Sequence, residues 1–230
     1  MKRAAPSTTG GMAKRASIDG SAPSASASSL PVAAFRDEIV ASVRNYRTTI
    51  VVGETGSGKS TQLPQYLTAV LGARTSQCIV CTQPRRVAAV TIAQRVASER
   101  GCAVGGEVGY TVRFDDRSSS STRIKYVTDG VMLREIMSDR KLAKYGVVVV
   151  DEAHERSLQT DILMGLLREL QDNRPSLRIV VMSATLQVEL FMGFFLEPNL
   201  VRIPGRQHPV TVGPRPSHPR HVLTARRRSS

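Results

Sequence analysis

Five short runs of nearly unbroken apolar, β-branched residues constrain this chain more than any other feature: 48–52, 77–82, 123–127, 146–150 and 178–182. A strand with one wet face alternates apolar and polar residues, whereas a run without that alternation needs cover on both faces. Between the runs lie helix-compatible segments at 59–71, 86–99, 131–138, 160–171 and 187–195. Strand and helix in alternation, joined by right-handed crossovers, predict a doubly wound α/β domain on a mostly parallel sheet. Residues 30–210 are enough to enclose such a core. No apolar run approaches the ~18 residues that span a bilayer, so no membrane role is expected.

Composition shifts sharply at both ends. Residues 1–29 are mostly Ser, Ala, Gly, Thr and Pro, and bury too little apolar surface to offset their ordering entropy; they are expected to be disordered. Residues 211–230 are Pro- and Arg-rich, hold five arginines and no acid, and are expected to be a second disordered tail. Much of the net charge of +13 therefore lies outside the folded part, and a high pI by itself says little about nucleic acid. Two targeting readings compete with a merely solvated N-terminus. The pairs Lys2-Arg3 and Lys14-Arg15 resemble a weak bipartite nuclear signal, and the Ser-rich, acid-poor composition resembles a transit peptide. Three cysteines are too few, and odd in number, for a disulfide framework, which points to a reducing compartment.

The first motif with chemistry is Gly53-Glu54-Thr55-Gly56-Ser57-Gly58-Lys59-Ser60, which fits G-x-x-x-x-G-K-[ST] between a predicted strand and a predicted helix. Its glycines allow a tight turn that aims successive N–H groups at one anion, and the helix start adds its positive dipole end. Lys59 is expected to reach the β- and γ-phosphates of a nucleotide. The Ser60 hydroxyl is expected to ligate Mg²⁺, with Thr61 the next candidate.

The second motif is an apolar strand ending in Asp151-Glu152-Ala153-His154. Ligands of open α/β sheets bind at the carboxyl ends of strands. Asp151 is placed to hold Mg²⁺ and Glu152 to orient or deprotonate an attacking water, since phosphoryl transfer rests on positioning and charge neutralisation.

These residues, with others in matching order, resemble the DEAH-box RNA helicases. Asp151-Glu152-Ala153-His154 followed by Glu155-Arg156-Ser157 is similar to motif II. Thr82 to Ala89 is similar to motif Ia, Thr128 to Glu135 to motif Ib, Ser183-Ala184-Thr185 to motif III, and the Gly-rich loop, with its Glu54, to motif I. The resemblance covers about residues 30–210 and implies a RecA-like P-loop NTPase domain. Gly205 to Pro209 is similar to the family's linker into a following domain.

The resemblance assigns further roles. Thr82, Arg85 and Arg86 would meet the RNA backbone from one side, and Thr128 and Asp129 from the other, through contacts that carry no sequence code. Arg113, in a segment similar to one near the family's RNA path, joins them. Arg95 would stack on the nucleotide base. His154, Ser183 and Thr185 would couple the γ-phosphate state to the RNA groove. The implied activity is an ATP-dependent RNA helicase using ATP or another nucleoside triphosphate with Mg²⁺, with an activator protein as a further partner. Nucleus or nucleolus is the implied location; cytoplasm and mitochondrion are the alternatives.

Other features are expected to be structural. Cys78 and Cys81 form a C-x-x-C spacing on a predicted strand, where positions three apart face opposite sides, so they cannot share a zinc ion. His218 and His221 lack acidic or Cys partners. Phe191, Phe194 and Phe195 have core spacing.

The resemblance fades after about Val210, and no QRxGRxGR-like run follows. The chain thus reads as an isolated first RecA-like domain: a shortened product, a frameshift or a misplaced exon end. A missing arginine finger is worth ~10³–10⁵ in rate in related NTPases. The alternative to a helicase is therefore a non-catalytic nucleotide- and RNA-binding fragment or interfering isoform. An unrelated P-loop enzyme such as a small kinase does not fit motifs Ia, Ib and III.

Overall fold

The computed structural model describes residues 30–72, 76–184 and 188–205. Both expected tails lie outside that range, as do Thr185, His218, His221 and most of the linker-like segment after Gly205. Among the described residues one sheet holds eight strands: β1 Thr48–Gly53, β2 Cys78–Gln83, β3 Val108–Val112, β4 Asp115–Arg117, β5 Ile124–Thr128, β6 Tyr145–Val150, β7 Arg178–Ser183 and β8 Asn199–Ile203. Their spatial order is β4-β3-β5-β2-β6-β7-β1-β8, and every pair is parallel except β3 with β4. The fold is α/β and RecA-like, with the five apolar runs at its centre.

The strands without an unbroken apolar run, β3, β4 and β8, lie at or beside the two edges of the sheet. β4 and β8 each have one open flank, where the demand for continuous apolar character lapses, whereas β3 is paired on both sides, by β4 and β5. β8 accordingly keeps Val201 and Ile203 buried and Arg202 exposed.

Among the described residues six α-helices cover the sheet: α1 Arg36–Asn45, α2 Lys59–Leu71, α3 Arg86–Glu99, α4 Asp129–Ser138, α5 Leu158–Asn173 and α6 Val188–Phe194. Helices α2 and α3 match the sequence expectation in extent. Helix α5 begins earlier than expected because Ser157 caps it, its hydroxyl accepting from the Thr160 N–H at 3.1 Å. Helix α1 is an addition; its Ile39, Val40 and Val43 are buried.

Helices α1, α2 and α3 share one face with Val147 and Val149, while α4, α5 and α6 share the other with Val148 and Val150. Each of these four valines is fully buried, worth roughly 1.5–3 kcal/mol apiece relative to exposure. Cys81 belongs to the first face and Cys78 to the second, as the strand period requires, and both thiols are free. Phe191 and Phe195 are buried in the second face. No helix among the described residues is long and apolar enough to cross a membrane.

Strand β1 leaves the sheet through α2 onto the first face, whereas its neighbour β7 leads to α6 on the second. Connections that part in this way open a crevice outside the carboxyl ends of the strands.

Candidate nucleotide and nucleic-acid site

At the end of β1 the chain turns into α2 through a loop that only glycine permits at two points, Gly56 (φ 83°) and Gly58 (φ 94°). A Cβ on Gly58 would lie 2.8 Å from Leu30 Cδ1 and 3.0 Å from Val32 Cγ1. The Val32 N–H donates to the Ser57 carbonyl at 3.1 Å, so the stretch ahead of α1 is laid against the loop. Glu54 and Thr55 are exposed, and the Glu54 carboxylate lies over Gly205, just beyond β8.

Lys59 is buried although it is a cation. Its ammonium donates to the Gly53 carbonyl at 2.5 Å, the Glu54 carbonyl at 2.9 Å and Ser57 Oγ at 3.3 Å. Burial pushes its pKa down, while the carboxylates of Asp151 and Glu152 pull it back up. The Thr61 hydroxyl donates to the Gly58 carbonyl at 3.3 Å.

Helix α2 carries Pro64, whose missing N–H leaves the Ser60 carbonyl without its helical donor. The hydroxyl of the fully buried Tyr126, on β5, donates to that carbonyl at 3.0 Å. Burial holds this phenol well above its ordinary pKa, so it stays a donor. The helix that positions Lys59 and Ser60 is therefore pinned across the sheet.

Asp151 follows β6, one strand across from β1, and is almost fully buried. Its carboxylate accepts from Gln83 Nε2 at 2.6 Å and from the Glu152 N–H at 2.8 Å, and the Ser60 side chain also bonds to it. Burial raises its pKa against the pull of these bonds and of Lys59. Burial and then Asp151 raise Glu152 likewise. Ser60 and Asp151 together offer hard oxygen donors, and a divalent cation beside them would relieve a buried negative charge. The site therefore fits Mg²⁺.

Glu152 stands at φ 52° and Arg156 at φ 50°, on either side of a 3₁₀ turn at Ala153–Glu155. Non-glycine residues held there are strained by ~1–3 kcal/mol each. The turn aims His154 at the end of β7, where the Ala184 N–H donates to His154 Nδ1 at 3.2 Å. Glu152 Oε2 lies 3.5 Å from the same nitrogen. One Nδ1 cannot accept from Ala184 and donate to Glu152 at once, and the closer contact favours the accepting, Nε2–H tautomer. His154 thus touches Ser183-Ala184; Thr185 lies outside the described residues.

Arg95, on α3, is exposed and pairs with Glu99 at 2.7 Å. Glu99 also accepts from Gln62 and Gln65 of α2 at 2.8 and 2.9 Å. This joins Arg95 to the first turns of the helix that starts at Lys59.

Farther along the same carboxyl edge, beyond β2, lies a groove of about 510 Å³ lined by Arg86, Arg113, Phe114, Thr128, Arg134 and Gln159. Arg85 is exposed beside it and pairs with Glu155 at 3.1 Å. Of the residues expected to meet RNA, Thr82 and Asp129 have buried side chains, unlike the exposed Arg85, Arg86 and Arg113. Thr82 is the last residue but one of central strand β2, and Asp129 opens α4 and accepts from Thr160 Oγ1 at 2.6 Å. Burial, against the Thr160 and Thr82 contacts, raises the Asp129 pKa. Both precede or follow residues that line the groove, Pro84 after Thr82 and Thr128 and Gly130 around Asp129.

Sequence reasoning missed Phe114, Arg134, Gln83 and Tyr126. Phe114 is 91% exposed and sits at φ 68° in the β3–β4 turn. An aromatic left in water at a strained turn is a signal that only the tertiary structure carries. Arg134 was legible, falling two turns into the helix after Thr128.

The DEAD/DEAH box helicase family pattern matches residues 34–191. Over 194 residues, the chain is 52% identical to a Caenorhabditis elegans protein named a probable ATP-dependent RNA helicase DHX35 homolog. The match covers 80% of this chain and 26% of that relative, so the chain spans about a quarter of its length. The phosphate-shaped loop, the acidic pair facing it and this match agree: the chain belongs to the DEAD/DEAH box helicase family.

Proposed function

We propose that this chain is the nucleotide-binding and RNA-gripping RecA-like domain of a DEAH-box ATP-dependent RNA helicase. The observation that carries the reading is one shared crevice. Lys59, Ser60, Asp151 and Glu152 converge there from β1, α2 and β6.

The loop amides and the start of α2 receive the phosphates. Lys59 exchanges its carbonyl acceptors at Gly53 and Glu54 for phosphate oxygens, a stronger charge-assisted match. Ser60 and Asp151 hold Mg²⁺, which when bound neutralises charge on the phosphates. Glu152, its proton affinity raised by burial and by Asp151, orients water and takes its proton. Arg95 offers a flat cation to the base. Arg85, Arg86, Arg113 and Thr128 take RNA phosphates, and Arg134 adds a further cation to that groove. The contact between His154 and Ala184 ties the acidic turn to the end of β7, a route from the phosphate site towards the Ser-Ala-Thr motif.

A polypeptide of these 230 residues tested alone is expected to bind nucleotide and RNA and to turn over slowly, since an arginine finger is worth ~10³–10⁵ in rate. The test is a pair of variants with ATP and RNA. Lys59→Ala should abolish nucleotide binding, seen by calorimetry. Glu152→Gln should keep binding and lower single-turnover hydrolysis by on the order of 10²–10⁴. Equal loss of binding in both variants would remove the roles assigned here.

A further inference from the structure

The structure assigns to Glu99 a positioning role: it fixes the plane of the Arg95 guanidinium beside the nucleotide site. The inference rests on the proposed use of Arg95 as a platform for the base, and deepens it.

Glu99 is the meeting point of two helices. Its side chain is only 11% exposed, whereas that of Arg95 is 61% exposed. One carboxylate oxygen takes Arg95 Nε at 2.7 Å. The other takes Gln62 Nε2 at 2.8 Å and Gln65 Nε2 at 2.9 Å. Gln62 is itself buried and reaches Thr61 Oγ1 at 3.3 Å, one residue beyond Ser60. A continuous set of bonds therefore runs from the first turn of α2 to the guanidinium on α3.

The geometry suits orientation rather than charge alone. A free Arg side chain samples many rotamers, and a stacked guanidinium must surrender them. An Nε bond made at the edge of the planar group leaves both faces open to an aromatic ring. The two glutamines occupy the other oxygen, so the carboxylate cannot swing away with Arg95. They hold it relative to α2, the helix that also carries Lys59 and Ser60. The distance between the phosphate site and the base platform is thereby set by side chains, not by the α3 backbone alone. The ligand recognised is the base of a nucleoside triphosphate, met on its face.

Binding of ATP and of inorganic tripolyphosphate, each with Mg²⁺, separates this role from a structural one. Glu99→Gln keeps an oxygen for Gln62 and Gln65 but withdraws the charge that holds Arg95. Its ATP affinity should fall by about 5- to 10-fold, in the range of a lost base stack, with tripolyphosphate affinity unchanged. Arg95→Ala should do the same, and the double variant should be no worse than either. If Glu99→Gln melts early, Glu99→Asp, which draws the carboxylate back by one methylene, should show the same base-dependent loss. Arg95→Ala defective and Glu99→Gln normal would overturn the positioning role and leave the base platform standing. Both normal, or no ATP binding by the unaltered chain, would remove the platform and the inference with it. Equal losses for ATP and tripolyphosphate would make Glu99 a structural residue and overturn the inference.

Discussion

The two halves of the carboxyl edge are built differently. Around β1, β7 and β6 the central charged pair is buried, and both members have close partners: Lys59 on two carbonyls, Asp151 on Gln83 and the Glu152 N–H. Around β2, β5 and β3 the cations Arg85, Arg86, Arg113 and Arg134 are exposed, and the Arg85–Glu155 pair is open to solvent. A small triphosphate needs donors arranged in advance in a dry cleft, where each bond counts fully. A long, sequence-tolerant strand is held by many weak contacts in water, each screened by salt. The first half should be brittle to single substitutions and the second tolerant of them.

The strongest challenge to that contrast is Gly58→Ala. Its φ of 94° and the approach of Leu30 and Val32 leave no room for a methyl group. ATP affinity should fall by on the order of 100-fold, about 2.7 kcal/mol, measured by titration calorimetry. Near-normal binding would show that the loop yields and that the cleft is not arranged in advance.

A smaller effect is expected on the other half. Arg86→Ala should weaken single-stranded RNA binding severalfold, alike for every sequence. The slope of log affinity against log salt should shrink by about 0.7, the share of one phosphate on a single strand. Fluorescence anisotropy across a salt series reads both. A collapse of binding from this one change would make the groove as brittle as the cleft and erase the distinction.

The smallest effect concerns Glu152 without ligand. Burial and Asp151 raise its pKa in the folded chain, so the folded state binds more protons than the unfolded, and stability falls as pH rises through that pKa. Glu152→Gln should therefore melt roughly 1–3 °C higher near about pH 8, a modest gain because the group is half-exposed and screened. The gain should fade as pH falls towards the ordinary carboxylate range, where both forms are neutral. A gain independent of pH would point to packing rather than to charge.

Much of this was legible in the residue order. The central strands β1, β2, β5, β6 and β7 announce themselves because burial on both faces leaves no room for polar alternation. Helices α2 and α3 fit their predicted bounds because the Gly-rich turn before one and Pro84 before the other mark their starts. The Gly-rich loop that follows β1 and the acidic pair that follows β6 were both placed by their motifs at the carboxyl edge of the sheet, where the structure has them. Less visible were β4 and β8, whose open edges relax the pattern, and β3, whose apolar run is broken by Gly109 and Thr111. Thr82 and Asp129 look like contact residues in a motif, and their burial follows from which neighbours stack above them.

Local chemistry, then, determined the fold class, the phosphate loop and the acidic pair, because backbone freedom, strand period and charge act over a few residues. Tertiary structure decided which cations face the groove, which of Thr82, Thr128 and Asp129 reach solvent, that Tyr126 answers the carbonyl freed by Pro64, and that Glu99 joins Arg95 to α2. Those are relations between segments tens of residues apart. They depend on how helices settle on the two faces of one sheet, and no local pattern encodes that distance.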